Sequence, residues 1–334
     1  MRNTTVSNQS SHTMRNRTYL FIGVIFLIIL FFAGLFIGKY PLSISGVLGG
    51  DQYQVRIFWT LRFSRTVVGL VGGFALGISG FVFQLLFRNP LASPDIIGVS
   101  SGASAGAAFG ILFFSGVLSV SACAFSGALI AVVLAILLSG LDRSDSKATV
   151  ILAGIAVHSL AQTVLMVLKS MADPEKQLAS IEYWIMGSLS GVKSETIMVN
   201  IIICIFCVLL LFLLHRQCLL LSQEEAEARM LGVSVQKMRF LVLVTATMAV
   251  SSVVSMTGLI SFIGLIAPHS ARRLTKDNSV KTMFLAGIIG GCLLLLADIL
   301  ARSVAQTELP VSIFTSLIGA PFLIYLIFRR RHQI

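Results

Sequence analysis

Charge is what this chain of 334 residues has least of. Asp, Glu, Lys and Arg make up 12% of it, against about 25% in a soluble globular protein. None occurs from Ile96 to Leu141, and none from Phe240 to Ala271, a run of 32 residues. A soluble fold cannot cover itself with so little charge. The five cysteines (Cys123, Cys204, Cys207, Cys218, Cys292) lie in or beside apolar runs. Cys204 and Cys207 have helical spacing but no second pair, which argues against a metal or disulfide role and for packing. His158, His215 and His269 are scattered, and none stands at metal-ligand spacing with a carboxylate. The Gly-x-x-x-x-Gly-Lys-Ser/Thr pattern is missing, so no P-loop for ATP is expected. No nucleophile–base constellation stands out either. No cofactor, metal site or catalytic centre is therefore expected in the chain itself.

What is present is long apolar sequence. The chain is 56% hydrophobic with mean hydropathy +0.92, and many runs reach the roughly 20 residues that cross a bilayer. This predicts an all-α polytopic protein embedded in a lipid membrane. The net charge of +11 does not point to nucleic acid, because the basic residues cluster between apolar runs, where the positive-inside rule puts them. Residues 1–17 are polar, and their composition predicts a disordered cytoplasmic N-terminus. The run Tyr19–Gly38 is too long for a signal-peptide core and reads as a retained first span.

Ten spans follow from the charge breaks: about 18–38, 66–86, two in the uncharged hairpin 96–139, 149–168, 197–215, two in 240–271, 282–301 and 310–328. The hairpin should turn near Ser115-Gly116. As one helix, 240–271 would be about 48 Å long, well over the roughly 30 Å core. A break near Thr257-Gly258 makes it two crossings. Both termini then lie inside, with 17 of the 25 Lys and Arg cytoplasmic. Residues 18–331 form a single transmembrane domain.

The polar break Leu86–Pro94 carries two prolines between runs rich in glycine and alanine. Proline ends helices and small residues let helices pack closely in a bilayer. The segment reads as a tight cytoplasmic turn between two packed helices. The largest charged insertion, 216–239, reads as two short cytoplasmic helices around a glycine stop, suited to docking a soluble partner or else a solvated loop. Arg62 and Arg65, three residues apart, share one helical face on the outer side, with Arg302 at the outer end of the ninth span. They can dock an acidic partner or simply snorkel. Asp298 and Arg302 have the i,i+4 order of a structural ion pair.

Several segments together carry a family resemblance. They include Leu61-Arg62-Phe63-Ser64-Arg65, Arg88-Asn89-Pro90-Leu91-Ala92, Trp184-Ile185-Met186-Gly187-Ser188 and Leu231-Gly232-Val233. Ser79-Gly80 through Gln84, Leu152-Ala153-Gly154, Phe262-Ile263-Gly264-Leu265-Ile266-Ala267-Pro268-His269, Ala297-Asp298-Ile299-Leu300-Ala301-Arg302, Glu308-Leu309-Pro310 and Gly319-Ala320-Pro321 complete the set. From about Arg56 to Arg331 the chain resembles the FecCD-type permeases of type II ABC importers, which carry ferric siderophores, haem and cobalamin. The resemblance implies ten spans per subunit and a bacterial cell-membrane location. It also implies a second permease subunit, two cytoplasmic ATPase subunits, an external solute-binding protein and a metal-chelate substrate. It assigns Glu224, Glu225, Ala226, Arg229, Leu231 and Gly232 to the ATPase contact. It gives Arg62, Arg65 and Arg302 to binding-protein docking, and Asn89 and Leu91 to a cytoplasmic gate whose facing part comes from the 140–148 loop. The chain departs from the family at Phe63-Ser64-Arg65, where Leu-Pro-Arg is common, and at Ser312, where glycine is common. A gradient-driven secondary transporter is the rival class; it predicts intramembrane carboxylates or unwound helices forming an ion site. A membrane-embedded enzyme is a weaker rival.

Overall fold

The computed structural model describes the chain except residues 1, 41, 115, 141–146, 193, 224–226, 228, 229, 231–233 and 332–334. Every regular element among the described residues is helical. Helix α1 (Arg2–Phe36) is followed by the short α2 (Ile44–Leu48) and α3 (Gln52–Ile57), a π-turn (Phe58–Phe63) and α4 (Ser64–Leu86). A 3-10 turn (Pro94–Ile97) precedes α5 (Val99–Phe113) and α6 (Val117–Ser139). Then come α7 (Lys147–Met171), α8 (Gln177–Met186), α9 (Ser194–Leu213) and α10 (His215–Leu221). The chain closes with α11 (Val235–Thr257), α12 (Ile263–Thr275), α13 (Val280–Ser303) and α14 (Val311–Arg331).

Ten of these helices, α1, α4–α7, α9 and α11–α14, lie where the charge breaks place the spans. Six are long and apolar enough to cross a membrane by themselves. The sixth predicted span is bent: Ile197–Leu213 meets His215–Leu221 at 61°. Helices α5 and α14 offer shorter apolar stretches, Val99–Phe113 and Val311–Leu326, and α12 has only 13 residues. At the start the structure differs from expectation, since α1 is helical from Arg2 through the polar segment. No Gly or Pro occurs before Gly23, so nothing in that segment stops a helix propagating from the apolar span.

Helix α4 is the axis of the bundle. It packs on α13, α12, α11 and α9, and most of its residues are buried. Small residues make this possible. A Cβ on Gly73 would lie 2.4 Å from the Gly290 carbonyl oxygen, and one on Gly80 would lie 1.8 Å from that of Gly264, so the backbones touch directly. Helices α5, α6 and α7 form a second group, joined to the first through the α6–α11 contact. The α5–α6 turn falls at Gly116, as the sequence indicates.

The break between α11 and α12 is also where the sequence places it. Gly258 sits at φ 70°, a left-handed value that glycine adopts without strain. A side chain there would meet the Trp184 carbonyl at 2.1 Å. The non-helical residues 258–262 end at Phe262, whose φ is 68° and whose ring lies against Gly319 of α14. Ser312, at the position where the family often has glycine, donates to the Leu259 carbonyl oxygen at 2.5 Å and ties the start of α14 to this break.

The Leu86–Pro94 segment does not join two helices packed on each other. Helix α5 packs mainly on α6 and α7 rather than on α4. The connection needs twelve residues, from Phe87 to Gly98, because α5 belongs to the other helix group.

Candidate functional site

Two clusters of buried polar groups stand out, one at each end of α4. The first gathers the three arginines singled out from the sequence. Arg62, Arg65 and Arg302 are only 5%, 7% and 1% exposed. The π-turn widens the helix just before Arg65 and separates the partners of the first two. Arg62 donates from Nη1 to the Ile37 carbonyl oxygen at 2.9 Å and from Nη2 to that of Tyr40 at 3.2 Å. Arg65 reaches across to α13 and beyond. Its Nε lies 2.6 Å from Asp298 Oδ1 and its Nη1 lies 2.7 Å from Glu308 Oε2.

Asp298 is fully buried and holds Arg302 as well, with Nη2 2.9 Å from Oδ2. That contact has ion-pair distance but not hydrogen-bond alignment, and among the described residues no guanidinium nitrogen of Arg302 makes an aligned hydrogen bond. The i,i+4 pair expected from the sequence is therefore present, and Arg65 turns it into a network. Glu308, in the connection after α13, loses some solvation by burial. The Arg65 hydrogen bond, with the charges of Arg65, Lys39 and Arg302, still holds its carboxyl below the usual range. Three guanidiniums against two carboxylates leave the cluster with surplus positive charge.

The second cluster surrounds Arg272, in the last turn of α12, against the other end of α4. Its Nε donates to Asn278 Oδ1 at 2.8 Å and its Nη2 to the Phe81 carbonyl oxygen at 3.0 Å. Its Nη1 donates to Gln84 Oε1, and the guanidinium carbon lies 4.5 Å from the Phe81 ring centroid. Gln84 in turn donates to the Leu265 carbonyl oxygen at 3.1 Å. His215, the first residue of α10, pairs through Nε2 with the Asn278 carbonyl oxygen at 2.9 Å and stacks on Phe81 at 6.4 Å. Among the described residues no carboxylate pairs with Arg272. No local pattern announces this arrangement; Gln84 lies two residues before the end of α4 and His215 at the bend after α9.

Asp277, beside Asn278, accepts from Ser279 N at 3.1 Å, from Asn16 Nδ2 at 3.1 Å and from Thr282 Oγ1. Burial opposes its charge, but these hydrogen bonds hold its carboxyl below the usual range. The contact also fixes α1 against the start of α13.

The proposed gate residues sit in a tight turn beyond α4. Arg88 has φ 48°, and Asn89 Oδ1 accepts from Leu91 N at 2.9 Å, an Asx-type turn that favours Asn at this place. Leu91 is 43% exposed. The Asn89 side chain thus shapes the turn, and Leu91 projects from it. The facing 140–148 loop lies largely outside the described residues. So do Glu224, Glu225, Ala226, Arg229, Leu231 and Gly232. Of that insertion, Met230 is described as 87% exposed.

Comparison with known proteins follows the geometry closely. A family model described as the FecCD transport family matches residues 26–329. The chain is 36% identical to the cobalamin import system permease protein BtuC of Halobacterium salinarum, over 81% of this chain and 73% of that protein. It is 33% identical to the molybdate import system permease protein MolB of Haemophilus influenzae, over 93% and 95%. It is 35% identical to the hemin transport system permease protein HmuU of Yersinia pestis, over 83% and 85%. A solved structure described as an inward-facing conformation of a candidate metal-chelate type ABC transporter matches with TM-score 0.84 and 32% identity. That match covers 94% of this chain and 99% of the other.

Proposed function

The chain belongs to the FecCD transport family, and on that premise we propose that it is the transmembrane permease of an ATP-driven importer for an iron chelate, foremost a ferric siderophore. The observation that carries this reading is the end-to-end match, at TM-score 0.84, to a metal-chelate type transporter structure. Haem and cobalamin are the alternative cargoes within the same reading, because relatives of similar identity are named for them. A loaded solute-binding protein docks at the outer end, a second permease subunit completes the pathway, and two cytoplasmic ATPases bind the 216–239 segment. ATP biases two conformations of the permease, and Leu91 moves with the Asn89 turn at the inner mouth.

Docking at Arg62, Arg65 and Arg302 draws its support from the surplus positive charge of the outer cluster. All three arginines are already held by this chain, so an incoming carboxylate must compete with Glu308, the more exposed of the two acids. Glu308→Gln should then tighten binding of the solute-binding protein at low ionic strength. Unchanged affinity would remove the cluster from the docking surface. The importer reading itself is tested by reconstituting the permease with its ATPase and binding protein in liposomes. Uptake should require ATP inside the ATPase compartment, and uptake driven by a proton or sodium gradient alone would sink it.

A further inference from the structure

The connection after α4 does not stay at the membrane surface. A Cβ on Gly154 would lie 2.5 Å from the Ile96 carbonyl oxygen, and one on Gly98 would lie 3.3 Å from His158 N. Residues 96–98 therefore pack against α7 between Gly154 and His158, and His158 is close to the middle of that helix. Pro94 packs near Gly264, which touches α4 at Leu76 and Gly80. Those residues precede the inner end of α4 by six to ten positions, about 9–15 Å at 1.5 Å per residue. After the turn at Arg88–Leu91 the chain thus climbs back into the bundle and carries Asp95 with it. The sequence suggests otherwise, because Ser-Pro-Asp reads as a surface turn.

Asp95 is exposed at that depth and lines a cavity of about 260 Å3 with Ser93, Ser100 and Ser261. Ser100 Oγ donates to its Oδ1. It also lies beside the first turn of α5. Among the described residues no Lys or Arg is within ion-pair distance of it. An exposed carboxylate at mid-depth must face water or protein, not hydrocarbon. The exposed residues of α7 include His158, Ser159 and Thr163 among apolar ones such as Ile155 and Leu160. The exposed residues Ile202, Ile205, Phe206 and Leu209 of α9 are all apolar, as a lipid-facing side should be.

We propose that Asp95 is a charge filter on the wall of the translocation pathway, favouring neutral or cationic metal chelates and repelling anionic ones. This rests on the permease reading and narrows its cargo. A carboxylate on a low-dielectric wall focuses the local field, and charged side chains set selectivity in pores in the same way.

The test uses two thiol reagents of opposite charge on the full chain in lipid nanodiscs at pH 8. Ser159→Cys is labelled with a trimethylammonium-ethyl and, separately, a sulfonatoethyl methanethiosulfonate. The reaction of the parent chain's own cysteines is subtracted, and rates are normalised to a free thiol. The cationic reagent should react faster, on the order of tenfold. Adding Asp95→Asn should bring the ratio to about one, and adding Asp95→Glu should restore it. With Asp95 intact, raising salt should also collapse the ratio, which keeps the test open if the Asn variant folds poorly. A ratio that ignores both Asp95→Asn and salt overturns the filter, as does failure of both reagents to reach the site. ATP-driven uptake by the reconstituted complex is scored separately. Uptake without charge bias rejects the filter alone, whereas bias without uptake rejects the importer reading.

Discussion

The two arginine clusters at the ends of α4 solve the same problem in opposite ways. At one end Arg65 and Arg302 share a fully buried carboxylate, Asp298, and Arg65 takes Glu308 as well. At the other end Arg272 is held by an amide oxygen on each side, a backbone carbonyl and an aromatic face. The first arrangement balances charge with charge, and its members depend on one another. The second spreads one positive charge over neutral acceptors, each of which can be exchanged without leaving a bare ion. The carboxylate network suits a rigid end of the bundle. The neutral network suits an end that must shift, because hydrogen bonds from one guanidinium to neutral acceptors can be remade one at a time. Its members come from α4, α10, α12 and the connection to α13, so motion of α10 is felt at the end of α4 where the Asn89 turn begins.

The largest test of this contrast removes Asp298. Truncating one partner of a buried ion pair leaves the other uncompensated and costs about 3–5 kcal/mol; here two guanidiniums lose their shared acceptor. Asp298→Ala should therefore cut resistance to chemical unfolding by about that much, measured on the purified protein in detergent. Joint replacement of Asp298, Arg65 and Arg302 by apolar residues of similar volume should recover much of it. If the single variant costs under about 1 kcal/mol, as an exposed pair would, the carboxylate cluster is not the rigid end.

Arg272 comes next. Arg272→Met strips donors from Gln84, Asn278 and the Phe81 carbonyl but leaves no charge behind. The expected loss is about 1–3 kcal/mol, smaller than for Asp298. Its functional signature should be larger: ATP hydrolysis by the reconstituted complex should persist while uptake per ATP falls. Arg272→Lys, a point charge in place of a fork, should not restore coupling. Coupling kept intact by either variant would mean that the Arg272 network only packs.

These two ends were unequally legible in the sequence. The spans, the Gly116 turn and the Gly258 break could be read because length and missing charge decide them, and both are local properties. Asp298 with Arg302 could be read from its helical spacing. Arg65 with Glu308 could not, because the two lie 243 residues apart and only the packing of α4 on α13 brings them together. The π-turn that parts Arg62 from Arg65 has no sequence signature here. The depth of Asp95 depends on Pro94 resting against Gly264, a contact that no local pattern announces. Arg272 carries no such local signal, because its neutral partners come from α4 and from the connection to α13.

The smallest predicted effect isolates one carboxylate of the Asp298 cluster. Glu308 is partly exposed, so its pair with Arg65 is screened and contributes up to about 1 kcal/mol. Its carboxyl is held below the usual range in the folded chain, so folding favours the ionised form. That contribution is fully present above the unfolded value of about 4.3 and disappears as pH falls through the lower folded value. Wild-type stability should therefore drop faster than that of Glu308→Gln between about pH 5 and pH 3, and the two curves should converge at the acid end. Asp277 is depressed as well, but it is present in both proteins and cancels in the difference. Among the described residues no carboxylate pairs with Arg272, so the Arg272→Met curve should run parallel to wild type across the same window. A Glu308→Gln curve that also runs parallel would place Glu308 outside the charge balance and leave Asp298 alone to hold both arginines.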